Sequence, residues 1–135
     1  MFVSLSAFAN EEKVNPKVLS SFHTEFSTVQ NVEWTVRQEF YEAAFDMNGQ
    51  RVSAFFNSDG DLMGITRNIS SAQLPVKLQS SLKNKYNSYW ITNLFEVANN
   101  DGTTYYVTLE EGDKKVVLKA TAGSDWNTYK KDRKI

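Results

Sequence analysis

The chain has 135 residues, of which 41% are hydrophobic and 13% aromatic, and a domain of this size can bury a substantial core. Its 15 basic and 16 acidic residues are mixed along the chain and give a formal net charge of -1. This balance argues against a nucleic-acid partner or an anionic membrane surface, because both are bound through an excess of positive charge. The absence of cysteine excludes disulfides, thiolate metal sites and cysteine nucleophiles.

The N-terminus has features of an export signal. The first nine residues are uncharged and mostly apolar or small, and a polar segment follows at 10–13. Ala7-Phe8-Ala9 fits the small-x-small rule of signal peptidase, although the basic segment and the longer apolar run of a complete signal are missing. We predict that residues 1–9 are the remnant of a secretory signal and that the protein is periplasmic or secreted; an ordinary N-terminus is the alternative. No apolar run approaches the roughly 20 residues that cross a bilayer, so no stable membrane insertion is predicted.

The first predicted element is an amphipathic helix. Asn15 is a favourable cap, and Pro16 suits the first helical position, where its missing N–H costs nothing. Val18, Phe22 and Phe26 then recur at helical spacing. The pattern predicts a helix that packs through one face.

Alternating apolar and polar residues then predict four strands. Val32, Trp34 and Val36 should share one side of the first strand. The Asn48-Gly49 pair is typical of a tight hairpin turn between the second and third strands. A second turn, at 57–61, should lead into a fourth strand.

The same order of elements repeats after Leu74-Pro75. Leu78, Leu82 and Tyr86 step by four along a second helix. Pro16 and Pro75 lie 59 residues apart, a spacing that indicates a tandem repeat. Four further strands are predicted, at 91–98, 103–110, 114–121 and from 126 onward.

These elements predict an α+β fold. The single domain, residues 10–135, should consist of two repeats at about 15–70 and 74–135, each with one helix and four antiparallel strands. The eight strands should form one continuous antiparallel sheet with both helices on one face. The other face of the sheet is expected to be open to solvent.

The core and turn residues resemble a known family. In chain order they are Trp34, Tyr41-x-Ala43-x-Phe45, Gly49, Val52, Phe56-Asn57-Ser58-Asp59-Gly60 and Leu74-Pro75. The series resembles the beta-lactamase-inhibitor-like (BLIP-like), PepSY-like proteins of bacterial envelopes, over nearly the whole mature chain. The resemblance implies a tandem helix-plus-sheet architecture whose concave sheet face can grip a partner protein, with no established target for most members.

The sequence gives little support for catalysis or metal binding. His23 is the only histidine, and no nucleophile or carboxylate is placed around it, so no catalytic residue is predicted. The oxygen-rich segment 57–61 lacks the downstream glutamate of an EF-hand and is interpreted as a turn, so no metal or other cofactor is predicted. Glu11-Glu12 and Glu110-Glu111 are interpreted as solvated charges, because adjacent residues on a strand point to opposite faces.

Successive side chains of a strand point to opposite faces of the sheet, and this alternation, or parity, separates the core aromatics from a second set of residues. If Trp34, Tyr41, Phe45 and Phe56 lie under the helices, their neighbours must point to the open face. Aromatic and arginine side chains are common anchors of protein interfaces. The predicted partner-binding residues are Arg37, Phe40, Glu42, Phe55, Tyr106 and Lys119, and the basic segment 130–134 is a weaker candidate.

The sequence therefore predicts a non-enzymatic envelope protein that binds a protein or peptide on the open sheet face. An inhibitor or regulator of a hydrolase is one form of this prediction. A small enzyme is an alternative, and it would need a pocket with convergent titratable groups. A structural module or ligand carrier is another, and it would show a closed apolar cavity between sheet and helices. The residues name neither the partner nor the oligomeric state.

Overall fold

The computed structural model describes residues 13–121 and 123–133, which contain two α-helices and eight strands. The chain divides into two compact units, the first ending at Arg67 and the second beginning at Asn68. The predicted α+β class is confirmed. One continuous sheet with both helices on one face stays a prediction, and the predicted signal remnant, residues 1–9, lies outside the described residues.

The first unit consists of one helix followed by four strands. These elements are α1 (Pro16–Glu25), β1 (Gln30–Val36), β2 (Tyr41–Met47), β3 (Gln50–Phe56) and β4 (Leu62–Asn68). The strands pair in the order of the chain, and each runs antiparallel to the next.

The second unit has the same order of elements after a short 3-10 turn (Ser71–Gln73). They are α2 (Val76–Lys85), β5 (Trp90–Asn99), β6 (Gly102–Glu111), β7 (Lys114–Thr121) and β8 (Asn127–Arg133). These strands also pair in chain order and antiparallel.

Helix α1 begins where the sequence predicts. Asn15 Oδ1 accepts a hydrogen bond from the Lys17 backbone N–H at 2.8 Å, and Pro16 occupies the first helical position. Asn15 Nδ2 also donates to the Ser58 carbonyl oxygen at 3.2 Å. One side chain therefore caps the helix and joins it to the turn between β3 and β4.

We expect Asn15→Ala to lower the free energy of unfolding by about 1 kcal/mol, because an N–H at the start of the helix loses its acceptor. Urea unfolding followed by circular dichroism measures this change. Gln38→Ala, at an exposed position between β1 and β2, is a suitable control and should change stability by less than about 0.5 kcal/mol. Equal losses in the two variants would contradict the capping role.

Phe22 is the centre of the first unit's core. Its ring centroid lies 5.1 Å from that of Trp34, 5.6 Å from Phe45 and 6.4 Å from Phe56, each in an edge-to-face arrangement. Such geometry is favourable for aromatic rings, and all four are 6% exposed or less. The parity prediction is confirmed for Trp34, Phe45 and Phe56, and Tyr41 packs against the same core but is only partly buried. The other buried apolar residues of this core are Val14, Val18, Ala43, Val52 and Ala54.

The strand pattern differs from the prediction at the end of β1. Val36 was expected to share the core side with Trp34, but it is 43% exposed. The reason is that β1 ends at this residue and the chain turns, with the Arg37 N–H donating to the Phe40 carbonyl oxygen at 2.9 Å. The predicted Asn48-Gly49 turn is confirmed, since both residues have positive φ, 53° and 77°.

The core of the second unit is mainly aliphatic. Leu78 and Leu82 are the buried residues of α2, as the spacing of the apolar residues predicts. Trp126 Nε1 donates to the Leu78 carbonyl oxygen at 3.1 Å, which fixes the start of β8 against this helix. The strands and the segment before α2 contribute Ile69, Leu74, Leu94, Tyr105, Val107, Leu109, Val116, Leu118 and Ala120.

Candidate functional site: the open sheet faces

In the described part of the first unit, residues 13–67, helix α1 packs on only one face of the sheet. Trp34, Ala43 and Val52 belong to the core under α1, so the alternate residues of the same strands point away from that helix. We call this surface the first open face. In the cross-strand register it consists of Glu33, Thr35, Glu42, Ala44, Asp46, Arg51, Ser53 and Phe55.

Charged side chains of the first open face contact one another. Arg51 bonds to Glu33 Oε1 at 3.0 Å and to Asp46 Oδ1 at 2.9 Å. Asn31 Nδ2 donates to Asp46 Oδ2 at 2.6 Å. This hydrogen bond is the main reason why the pKa of Asp46 is below its usual value, and the hydrogen bond from Arg51 is the second reason. Glu42 Oε2 accepts from the Ser53 hydroxyl at 2.9 Å. These carboxylates already have donors within the unit.

The structure brings together two of the aromatic residues predicted for partner binding. Phe40 and Phe55 have ring centroids 5.7 Å apart in an edge-to-face arrangement, and both side chains are half-buried. Glu42 lies directly opposite Phe55 in the register, and Arg37 is exposed just after β1. Their role in binding stays a prediction.

Among the described residues of the second unit, helix α2 likewise packs on only one face of the sheet. Leu94, Val107 and Leu118 belong to the core under α2, so the residues that alternate with them point away. We call this surface the second open face. It includes Phe95, Tyr106, Thr108, Glu110, Lys115, Val117, Lys119, Tyr129, Lys130 and Asp132.

Three aromatic rings and one lysine form a row across the second open face. Phe95 stacks on Tyr106 with centroids 5.1 Å apart, and Tyr129 meets Tyr106 edge-on at 5.3 Å. Lys119 Nζ lies 5.8 Å from the centroids of both tyrosine rings, within the range of a cation–π contact. We call these four residues the aromatic row.

Only Tyr106 and Lys119 of the aromatic row were predicted as partner-binding residues. Phe95 lies directly opposite Tyr106, so the register of β5 and β6 is the signal that identifies it. Tyr129, 60% exposed, reaches the row through an irregularity in the pairing of β7 with β8, which simple alternation does not reveal. Trp90 was also missed: it is 78% exposed at the start of β5, opposite Glu110.

The other candidate features have simple structural roles. His23 is exposed on α1. Asn57 Oδ1 accepts the Asp59 and Asp61 N–H groups at 3.0 and 2.9 Å, which supports the interpretation of 57–61 as a turn. In the part of the chain that the structure describes, no group of three His, Cys, Asp or Glu residues could hold a metal ion.

Two further observations concern membranes and cavities. Within residues 13–121 and 123–133, neither helix has the length and apolar character needed to cross a membrane. A pocket of about 250 Å³ lies beside α2 and opens to solvent. Its lining includes Leu82, Tyr86, Tyr89 and Ile91.

Solved structures share this fold. A BLIP-like protein from Bacteroides fragilis is 17% identical with a TM-score of 0.74, and the match covers 89% of this chain and 86% of that one. A DUF2874 family protein from Bacteroides ovatus is 19% identical with a TM-score of 0.78, covering 90% and 88%. A protein from Bacteroides eggerthii, provisionally described as periplasmic, is 13% identical with a TM-score of 0.78, covering 89% and 88%.

The chain therefore has the BLIP-like fold. This confirms, for the fold, the resemblance identified from the core and turn residues, whereas the PepSY-like part of that resemblance stays a prediction. No family model matches the sequence, and no curated protein matches it.

Proposed function

We propose that this chain is a non-enzymatic protein of the bacterial envelope that binds a protein or peptide through its open sheet faces. In this proposal it acts as an inhibitor or regulator of a hydrolase, and its two units are tandem repeats. The observation that carries the proposal is the aromatic row, whose rings lie on the face of the second unit's sheet that points away from α2. Tyrosine, tryptophan and phenylalanine are enriched at the centres of protein interfaces.

Two observations support a location in the envelope. The sequence at Ala7-Phe8-Ala9 fits the cleavage rule of signal peptidase. A solved structure with the same fold is provisionally described as periplasmic. We therefore propose a periplasmic or secreted protein.

The structure gives the alternatives less support. An enzyme that uses His23 as its general base would need a pocket around that residue, but the side chain is exposed on α1. A ligand carrier would hold its ligand in an enclosed apolar cavity, whereas the pocket beside α2 opens to solvent.

We expect Phe55→Ala and Tyr106→Ala each to weaken partner binding by about 2 kcal/mol, close to thirtyfold, with little change in thermal stability. Affinity capture of the partner from an envelope extract, followed by titration of the purified partner, measures this loss. Val76→Ala is the matched control, because Val76 is an exposed apolar residue on α2. It should leave binding unchanged.

The combined variant Arg37→Ala, Phe55→Ala and Tyr106→Ala provides the stricter test. If it binds the captured partner as tightly as the unmodified protein, the open faces are not the binding surface. The helix side and β8 then become the next candidates.

A further inference from the structure

The two units carry opposite net charges. The first, residues 1–67, contains five basic and nine acidic residues, and the second, residues 68–135, contains ten basic and seven acidic residues. Their formal net charges are therefore -4 and +3. The value of -1 for the whole chain conceals this difference, which predicts that the second unit favours partners with negative charge.

Positive side chains of the second unit also lie on its open face. Lys115, Lys119 and Lys130 all project there, and Lys130 contacts Asp132 at 3.7 Å. Lys115 lies directly opposite the carboxylates of Glu110 and Asp132 in the register, whereas the Lys119 ammonium lies beside the Tyr106 and Tyr129 rings. The first open face differs, because its Arg51 is already bonded to two carboxylates.

Lys119 lies beside two tyrosine rings, and these contacts orient its ammonium group before an anionic ligand binds. Its Nζ lies 5.8 Å from the centroids of Tyr106 and Tyr129, and its side chain is half-buried. A side chain fixed before binding loses less conformational entropy when a ligand arrives. A carboxylate is a suitable ligand group for this site, because a charge-assisted hydrogen bond to an ammonium is stronger than a neutral one.

We propose that the second open face binds an acidic segment of a partner protein, with a carboxylate on the Lys119 ammonium and neighbouring apolar side chains on Phe95, Tyr106 and Tyr129. This inference rests on the proposed function and adds the chemistry of the partner. A peptide segment suits the site because charge and apolar surface alternate over a few ångströms. Duplex nucleic acids and anionic membranes are bound by larger arrays of cations than the three lysines of this face. Single-stranded nucleic acids also stack on aromatic side chains, so single-stranded DNA is a comparison ligand in the test.

The test begins with peptides selected from a displayed random library of about 12 residues, a length that spans one sheet face. We expect the immobilised protein to enrich sequences in which Asp or Glu neighbours aromatic or aliphatic residues. One selected peptide is then synthesised together with a neutral counterpart in which each Asp becomes Asn and each Glu becomes Gln. Fluorescence anisotropy measures the affinity of both peptides.

Lys119→Met is the decisive variant. The unmodified protein should bind the acidic peptide about tenfold more tightly than its neutral counterpart, and Lys119→Met should bind the two peptides equally. Lys119→Arg should keep the preference for the acidic peptide. Lys77→Met changes an exposed lysine on α2 and should leave the preference unchanged. Tyr106→Ala should weaken both peptides, the acidic one more, because the Tyr106 ring also contacts Lys119. Added salt should weaken only the acidic peptide.

Each alternative outcome has a definite meaning. A preference for acidic peptides that survives Lys119→Met overturns the inference. Selected peptides that are neutral or basic but lose affinity in Tyr106→Ala overturn it while leaving the proposed function intact. Failure to select any peptide that depends on an open-face residue counts against both. Lys119-dependent binding to phosphatidylglycerol vesicles or single-stranded DNA, without binding to the acidic peptide, would identify a different occupant.

Discussion

Phe22→Ala should lower the free energy of unfolding by about 3–5 kcal/mol, because it removes the ring at the centre of the first unit's core. The Trp34, Phe45 and Phe56 rings surround this side chain, with centroids between 5.1 and 6.4 Å away. Trp34, Phe45 and Phe56 lie on β1, β2 and β3, so they cannot move together to fill the cavity that Ala would leave. This loss is a large part of the free energy of unfolding of a native protein, which is typically about 5–15 kcal/mol.

Guanidinium unfolding followed by tryptophan fluorescence measures this effect, and Phe55→Ala is the matched control. Phe55 is the same type of residue on β3, next to buried Phe56, but it points to the first open face and is only half-buried. Its truncation should cost about 1 kcal/mol or less. If Phe55→Ala proved the more damaging change, the register of β3 would be shifted by one residue and the inside and outside faces exchanged.

Gly60→Ala should destabilise the first unit by about 2–5 kcal/mol, through backbone strain and a steric clash together. Gly60 has φ of 88°, a conformation that residues with a Cβ rarely adopt. A Cβ at this position would lie 2.8 Å from the Lys17 carbonyl oxygen and 2.9 Å from Ser21 Oγ on α1. The helix would have to move away from the turn to make room.

Gly112→Ala separates the two contributions. Gly112 also has positive φ, 58°, but no atom lies within 4 Å of the position that its Cβ would occupy. This control should lose only the backbone contribution, about 1–2 kcal/mol. Urea unfolding of both variants compares them directly. Equal losses would show that the close approach of Gly60 to α1 has no energetic consequence.

Local signals account for most of the fold that the sequence predicts correctly. The Asn15-Pro16 pair identifies the start of α1, and Asn48-Gly49 identifies a hairpin, because both depend on a few adjacent residues. The alternation of side chains along a strand also depends only on adjacent residues, and it assigns Trp34 and Phe56 correctly to the core. It fails at Val36, because alternation applies only along an uninterrupted ladder and β1 ends there. It makes no prediction for Tyr129, where the pairing of β7 with β8 is irregular.

The candidate site could be predicted only in part. The open-face position of Tyr106 and Lys119 follows from alternation along β6 and β7. The contact of both residues with Tyr129 does not, because it requires the pairing of β7 with β8. The bonds from Arg51 to Glu33 and Asp46 likewise join three strands, so no single segment of sequence reveals them. The opposite charges of the units could have been read from the sequence, because the predicted boundary between the repeats, at 70–74, and the observed one at Arg67 enclose the same charged residues.

The chain-order pairing of strands has a consequence for how each unit is built. Every strand within a unit pairs with the strand before it, so each new pairing closes only a short loop and costs little chain entropy. A sheet with such local connections has a lower contact order than a sheet of the same size with long connections, and a lower contact order favours faster folding. A chain that emerges gradually from the ribosome or a secretion channel can therefore add each strand to one that has already emerged. During synthesis, the free edge of each strand is then exposed only until the next strand of the unit emerges and pairs with it.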